Sequence, residues 1–246
     1  RHFQDEAVDR GRMIMPCATG KSLIGYWIAK DLSARRILIA VPSLALINQT
    51  LKVWSEETLA EGLTHNFIAV CSDTGAGVVE HDSFTALTSD VQIPCRTDVD
   101  QIVELLGRPT EDMTVVLTTY QSGRVIAEAA KAANVTFDLA IMDEAHKTVG
   151  KTHKLFAHLL FDENLKADRR IFMTATERQF RNRKSPDVVS MDDESEIYGE
   201  RFYQLTFKQA MELDPPAISD YQIATVNITS KEIRELWDKN RYLRIL

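Results

Sequence analysis

The fold class predicted for this chain is α/β, a central parallel sheet with helices on both faces. Short apolar runs of strand length alternate with segments of helical spacing from one end of the sequence to the other, which is the pattern of βαβ units. One run, at 12–15, feeds a glycine-containing turn and then a helix. Another, at 139–142, is too short for a helix and stops abruptly in two adjacent carboxylates, Asp143 and Glu144. It reads as a strand buried on both faces. Parallel strands deliver whatever follows them to the carboxyl edge of the sheet, where α/β proteins place their ligands. The strands before the glycine turn and before the carboxylates are therefore expected near the middle of the sheet.

Taken in order, 1–7 has helical composition and leads to the strand at 12–15. Residues 21–32 have helical spacing, with Leu23, Ile24, Trp27, Ile28 and Leu32 on one stripe. Residues 36–41 form a strand, ended by Pro42 and Ser43, which caps a helix running to about Trp54. A strand follows at 66–71. From 72 to 96 the pattern dissolves into small and polar residues, a long surface excursion. A helix at 98–106 stops at Gly107 and Pro109, a β-branched strand covers 113–118, and an alanine-rich helix covers 121–133. After the acidic strand come a helix at 151–160 and a strand at 170–173. Residues 178–200 read as a mobile solvated loop with a basic cluster and then an acidic one. A short helix at 207–213, a strand at 221–226 and a helix from Ser230 close the chain.

The chain has 246 residues, 44% hydrophobic and 26% charged, enough for one large α/β domain or one and a half smaller ones. No apolar run approaches the length of a membrane span, and the N-terminus lacks the layout of a secretion signal. Cys17, Cys71 and Cys95 are odd in number and widely spaced, which fits reduced thiols in a cytoplasmic protein. A net charge of −7 argues against a basic sheath for nucleic acid and leaves a local groove open. The sequence starts at Arg1 and enters motif-like sequence almost at once, so a fragment of a longer polypeptide is expected.

Gly20-Lys21-Ser22 fits the end of G-x-x-x-x-G-K-[ST], with Met15 at the first glycine position. Such a loop needs inward backbone N–H groups and small residues where the chain passes phosphate. Ala18, Thr19 and Gly20 are small enough, and Cys17 reads as a small packing residue. Lys21 would reach the β- and γ-phosphates and the Ser22 hydroxyl would ligate Mg²⁺. Asp143 is the candidate partner of that ion, and Glu144 the residue that orients or deprotonates the attacking water. Either half alone has a bland reading, a chance tripeptide or a strand ending in a polar loop. Both in one chain, each after a strand, point to nucleotide hydrolysis.

Pro16-Cys17-Ala18-Thr19-Gly20-Lys21-Ser22, Asp143-Glu144-Ala145-His146 and Thr174-Ala175-Thr176 resemble motifs I, II and III of superfamily-two helicases and translocases of the DEAH type. Arg1-His2-Phe3-Gln4 resembles the adenine-reading R-P-x-Q element, with His2 in place of proline. The stretches at 41–50 and 118–122 resemble motifs Ia and Ib. In wording the chain is most similar to the helicase modules of type I, type III and ISP-like restriction enzymes. Met15 and Ala18 depart from glycine-rich versions of motif I. The resemblance implies a RecA-like (P-loop NTPase) first motor lobe over 1–214 and a linker with the start of a second lobe over 215–246. It implies ATP and Mg²⁺ as ligands, Gln4 on the adenine edge, and His146 coupling nucleotide state to Thr174 and Thr176. Pro42, Ser43, Gln49, Thr119, Tyr120 and Ser122 would meet the nucleic-acid backbone, although Ser43 and Ser122 also suit helix capping. The implied partners are DNA rather than RNA, the second lobe, and nuclease or methyltransferase domains of a parent chain. No Q-x-x-[GR]-R-x-[GR] element follows, so an isolated lobe is expected to bind nucleotide weakly and turn over slowly. An RNA-stimulated ATPase and a nucleotide-binding scaffold without turnover stay open as alternatives.

Other residues carry less. His81, His153 and His158 have no metal-ligand spacing. Trp27, Trp54 and Trp237 sit on helical stripes and are expected in the core. Arg181, Arg183 and Lys184 suit phosphate contact or a solvated loop equally.

Overall fold

The apolar run at 37–41 has no polar face to offer water, so the fold must cover it on both sides. In the computed structural model, which describes residues 8–72, 87–109, 111–151, 155–179, 188–192 and 196–220, it does. The strands are β1 (Arg10–Ile14), β2 (Arg36–Val41), β3 (Asn66–Val70), β4 (Cys95–Arg96), β5 (Thr114–Thr119), β6 (Leu139–Asp143), β7 (Gly150–Lys151), β8 (Arg170–Thr174), β9 (Val188–Val189) and β10 (Glu200–Gln204). The helices are α1 (Lys21–Asp31), α2 (Leu44–Ala60), α3 (Val99–Gly107), α4 (Gly123–Ala132) and α5 (Phe207–Glu212).

Eight strands form one sheet in the order β10-β1-β8-β6-β2-β5-β3-β4, with every neighbouring pair parallel. Along β2, Ile37, Ile39 and Val41 enter one core with Tyr26 and Ala29 of α1 and Ile47, Leu51 and Trp54 of α2. Leu38 and Ala40 enter the other, with Ile102 of α3 and Ile126 and Ala130 of α4. Period-two alternation thus divides the strand residues between two helical layers. A two-stranded antiparallel ribbon, β7 with β9, lies outside the main sheet.

Several expectations need correction. β6 is central, but β1 is next to an edge because β8 stands between them. Trp27 is 52% exposed, and the buried residues of α1 are Lys21, Gly25, Tyr26 and Ala29. The helix therefore turns its small residues inward, where it approaches the sheet closely. A Cβ on Gly25 would stand 3.2 Å from Ile141 Cδ1 and 3.3 Å from Met173 Cε. α2 continues past Trp54 to Ala60, its polar last turns tied by the Thr58 hydroxyl donating to the Trp54 carbonyl at 2.7 Å. The alanine-rich helix begins at Gly123, after a 3-10 turn at Tyr120–Ser122. In place of one helix at 151–160 there are β7 and a 3-10 turn at Leu155–Leu160.

The loop expected at 178–200 is anchored where described, since Val189, Met191 and Tyr198 are buried in the core. It leads into β10, a strand too exposed to show an apolar pattern. Cys71 and Cys95 are joined as a disulfide between the ends of β3 and β4, their Cα atoms 5.5 Å apart, rather than standing as reduced thiols. The expected elements at 1–7, 221–226 and 230–246, together with Gln4, His81, His153, Arg181, Arg183, Lys184 and Trp237, lie outside the described residues. Among the described residues no helix is long and apolar enough to cross a membrane.

Candidate active site

Five strand ends, at Ile14, Val41, Thr119, Asp143 and Thr174, bring the phosphate loop, Pro42 and Ser43, the turn at 120–122, the Asp143–His146 turn and the Thr174–Thr176 turn to the carboxyl edge of the sheet. β1 delivers the phosphate loop. Ala18 (φ 63°) and Gly20 (φ 85°) both turn left-handed, which wraps the chain back before α1 begins at Lys21. A Cβ at Gly20 would meet no atom, so the glycine serves the backbone turn. No side chain caps α1, leaving its first N–H groups directed at the loop, the arrangement in which helices hold anions. Cys17, Ala18 and Gly20 are exposed there. The Thr19 hydroxyl closes the loop on the Pro16 carbonyl at 2.7 Å. Lys21 is buried, and its Nζ donates to the carbonyls of Pro16 (3.1 Å) and Met15 (3.3 Å).

Ser22 and Asp143 line one small cavity with Gly25, Ile39, Thr50, Trp54, Ile141 and Met173. Ser22 Oγ is buried with no hydrogen-bond partner, an arrangement that costs stability unless a ligand answers it. Burial, with Glu144 adding repulsion, pushes the Asp143 carboxyl up to about 6. An orphaned hydroxyl beside a carboxylate in a tight cavity is a donor set that fits a hard divalent cation of the Mg²⁺ type. The main-chain N–H of Glu144 donates to Asp143 Oδ1 at 2.9 Å.

Glu144 sits in the left-handed region, φ 48°. That conformation breaks the strand and turns its side chain toward His146, whose Nδ1 lies 3.2 Å from Glu144 Oε2. The hydrogen bond from His146 outweighs burial and holds the Glu144 carboxyl below its usual range. Two adjacent carboxylates are thus driven in opposite directions, the pattern that separates roles in acid–base chemistry.

His146 Nδ1 is also 3.0 Å from Thr174 Oγ1. Thr174 gives its hydroxyl proton to the Thr176 carbonyl (3.0 Å) and accepts from the Thr176 N–H (3.3 Å). The loop and β8 are joined as well, since the Met15 N–H donates to the Thr174 carbonyl at 2.9 Å.

The residues expected to face nucleic acid divide. Pro42 and Ser43 are half-buried and Gln49 is exposed; the Ser43 hydroxyl accepts from the Leu46 N–H at 3.4 Å, so it caps α2. Thr119, Tyr120 and Ser122 are buried. Thr119 Oγ1 accepts from the Ser122 N–H and donates to Ser122 Oγ, and the Tyr120 hydroxyl donates to the Asp143 carbonyl. The Tyr120 side chain therefore faces the core, not a bound strand. What this corner exposes is Gln121, inside the motif-Ib stretch, and Arg124, two residues beyond it; neither is among the residues expected from the sequence to meet nucleic acid. Trp54, expected from the sequence only in the core, also touches the site: its Nε1–H donates to the Ser22 carbonyl at 3.1 Å. No spacing in the sequence signals that contact. Among the described residues no group of His, Cys, Asp or Glu forms a further metal cluster.

A parallel sheet whose carboxyl edge carries a Gly-Lys-Ser loop, a DEAH turn and a Thr-Ala-Thr turn bonded to it has the arrangement of a helicase-type RecA-like lobe. The family described as "Type III restriction enzyme, res subunit" matches residues 2–179, and the chain belongs to it. It is 33% identical over 190 residues to the "Probable helicase A859L" of African swine fever virus (isolate Tick/Malawi/Lil 20-1/1983), covering 72% of this chain and 19% of that protein. Among solved structures it resembles a nuclease-deletion mutant of the Type ISP restriction-modification enzyme LlaGI in complex with a DNA substrate mimic. The identity is 34%, the TM-score 0.65, and the match covers 87% of this chain and 19% of that one. The ATP-dependent Type ISP restriction-modification enzyme LlaBIII bound to DNA is 33% identical with a TM-score of 0.68, over 87% of this chain and 14% of that one. The chain thus spans under a fifth of these relatives.

Proposed function

We propose that the chain is the first motor lobe of a cytoplasmic DNA translocase or helicase, hydrolysing Mg²⁺-ATP to move along nucleic acid. The observation that carries this reading is the join between the Asp143–His146 turn and Thr174, because it couples the proposed hydrolytic residues to a neighbouring strand end. Support for DNA comes from the relatives, two of which are restriction enzymes solved with DNA or a DNA mimic. Residues 1–214 would form the lobe and 215–246 the passage into a second one, with nuclease or methyltransferase domains elsewhere in the parent chain.

The phosphates would lie on the loop at 16–22 under the N-terminus of α1, with Gln4 on the adenine edge. Lys21 would exchange its carbonyl contacts for the β- and γ-phosphates. Ser22 and Asp143 would hold the magnesium ion, which when bound neutralises charge developing on the transferred phosphoryl group. Glu144, kept ionised by His146, is placed to orient the attacking water and take its proton. Hydrolysis would then be reported through His146 to Thr174 and Thr176. Pro42, Ser43 and Gln49 would meet the nucleic-acid strand, with Thr119 and Ser122 shaping the neighbouring corner through their mutual hydrogen bonds.

The test is ATPase activity of the full-length parent protein with and without duplex DNA. Glu144→Gln is expected to lower kcat by about 10²–10⁴-fold while nucleotide binding persists. Stimulation by RNA alone would move the substrate to RNA, and unchanged turnover in Glu144→Gln would leave a nucleotide-binding scaffold as the better reading.

A further inference from the structure

We propose that Tyr120 is a positioning residue that transmits strand contact at the corner 119–124 to Asp143. The proposal rests on the DNA-stimulated motor described above. In the sheet, β5 and β6 are separated by β2, so the ends of these strands lie two strand spacings apart, roughly 10 Å. Tyr120 crosses that gap. Its hydroxyl donates to the main-chain carbonyl of Asp143 at 2.7 Å, and its ring is fully buried. The ring stacks on Phe156 with centroids 5.4 Å apart and planes 27° off parallel.

The bonded carbonyl belongs to the peptide unit between Asp143 and Glu144. The N–H of the same unit donates to Asp143 Oδ1. Both polar ends of this one peptide are therefore held, one by Tyr120 and one by the Asp143 carboxylate. The peptide plane sets how Glu144 leaves the strand in its left-handed conformation. Rotating this plane by a small angle moves both carboxylates together, so the hydroxyl that anchors it controls their placement.

At its other end Tyr120 belongs to a stiff corner. The two bonds between Thr119 and Ser122 close the turn. Gly123 is wedged so tightly that a Cβ would stand 3.0 Å from Leu159 Cγ. Gln121 and Arg124 point outward from the same turn, an amide and a guanidinium suited to phosphate oxygens. A strand that pulls on Gln121 and Arg124 displaces the corner as a unit, and Tyr120 carries the displacement to the Asp143–Glu144 peptide. Two sites coupled through one discrete element in this way each bias the other.

The experiment uses the full-length parent protein and linear duplex DNA, reading the ratio of DNA-stimulated to basal kcat and the thermal midpoint. Tyr120→Phe keeps the ring stack and removes the hydroxyl. It is expected to reduce the stimulation ratio on the order of tenfold. Tyr26→Phe, which loses a buried hydroxyl bonded to Glu61 at the far end of α2, is expected to lower the midpoint comparably and keep the ratio. Arg124→Ala combined with Tyr120→Phe is expected to lower the ratio no further than the stronger single change. A Tyr120→Phe protein that keeps the wild-type ratio, or effects of the pair that multiply, overturns the relay and leaves the motor reading intact. A wild-type protein that DNA does not stimulate overturns both.

Discussion

His146 Nδ1 lies 3.0 Å from Thr174 Oγ1 and 3.2 Å from Glu144 Oε2, so one ring nitrogen joins the turn after β6 to the end of β8. Because Thr174 gives its proton to Thr176, the imidazole N–H is the donor in this contact. Thr174→Val keeps the volume of the side chain and removes the acceptor. A single such bond is worth about 0.5–1.5 kcal/mol, so kcat for ATP should fall about 2- to 12-fold with little change in KM. In a double-mutant cycle with His146→Ala the second change should add little. Steady-state kinetics on the parent protein check this, and fully multiplying effects would show that the two residues act separately.

The Asp143 carboxyl alone is expected to cost the apo lobe stability near neutral pH that it does not cost in acid. This carboxyl is pushed up to about 6 from an ordinary 3.8, so between those values the folded chain binds more protons than the unfolded one. Stability then falls as pH rises through that window and the penalty is constant above it. Asp143→Asn should therefore raise the unfolding free energy near neutral pH by on the order of 3 kcal/mol, and by almost nothing below about pH 4. Denaturant unfolding at both pH values, without nucleotide or metal, measures the difference. A variant no more stable than wild type at neutral pH would show that the carboxylate is accommodated without cost.

Ala18 stands in the left-handed region with its side chain exposed. For an L-residue this costs roughly 1–2 kcal/mol, part of which a glycine would return through the greater freedom of the unfolded chain. Ala18→Gly should stabilise the lobe by under about 1 kcal/mol, while the β-branched Ala18→Val should destabilise it by more than about 1 kcal/mol. Chemical denaturation of the three proteins orders them. A valine variant as stable as wild type would remove the argument from backbone strain.

The parts of the site legible in the sequence are those whose signal is local. Gly20-Lys21-Ser22 after a strand, and Asp143-Glu144 ending another, placed themselves because a parallel strand dictates where its C-terminal residues go. What was not legible depends on neighbours distant in sequence. Trp27 sits on an apolar stripe yet faces out, because Gly25 and Ala29 bring the other face of α1 against β6 and β8. Tyr120 reads as part of a nucleic-acid motif, and only the register of β5 and β6 about β2 shows that its hydroxyl meets Asp143. β10 pairs with β1 across the chain, and its exposed residues leave no pattern to find.

Arg12 lies in β1, two residues before that strand ends at Ile14, with its side chain 1% exposed. Its Nη1 donates to Glu177 Oε1 at 2.6 Å, and its Nε donates to the Gly199 carbonyl at 3.0 Å. Glu177 is the residue directly after Thr174-Ala175-Thr176, and its other oxygen faces Arg201 of β10 at 3.4 Å. The pair therefore clamps the segment leaving β8 to the strand that feeds the phosphate loop. Breaking a buried ion pair from one side is expensive, about 3–5 kcal/mol, because the remaining charge keeps its desolvation cost. Glu177 is 18% exposed, so water softens the loss and Glu177→Leu should cost nearer the lower figure, about 3 kcal/mol. Arg12→Met in the same background removes the buried cation and should restore most of that loss, since an apolar replacement of both partners is often neutral. Urea midpoints of the two single variants and the double variant measure the coupling. If the double variant is as unstable as the sum of the singles, Arg12 and Glu177 do not act as a pair, and the clamp must be assigned to the hydrogen bond with Gly199 instead.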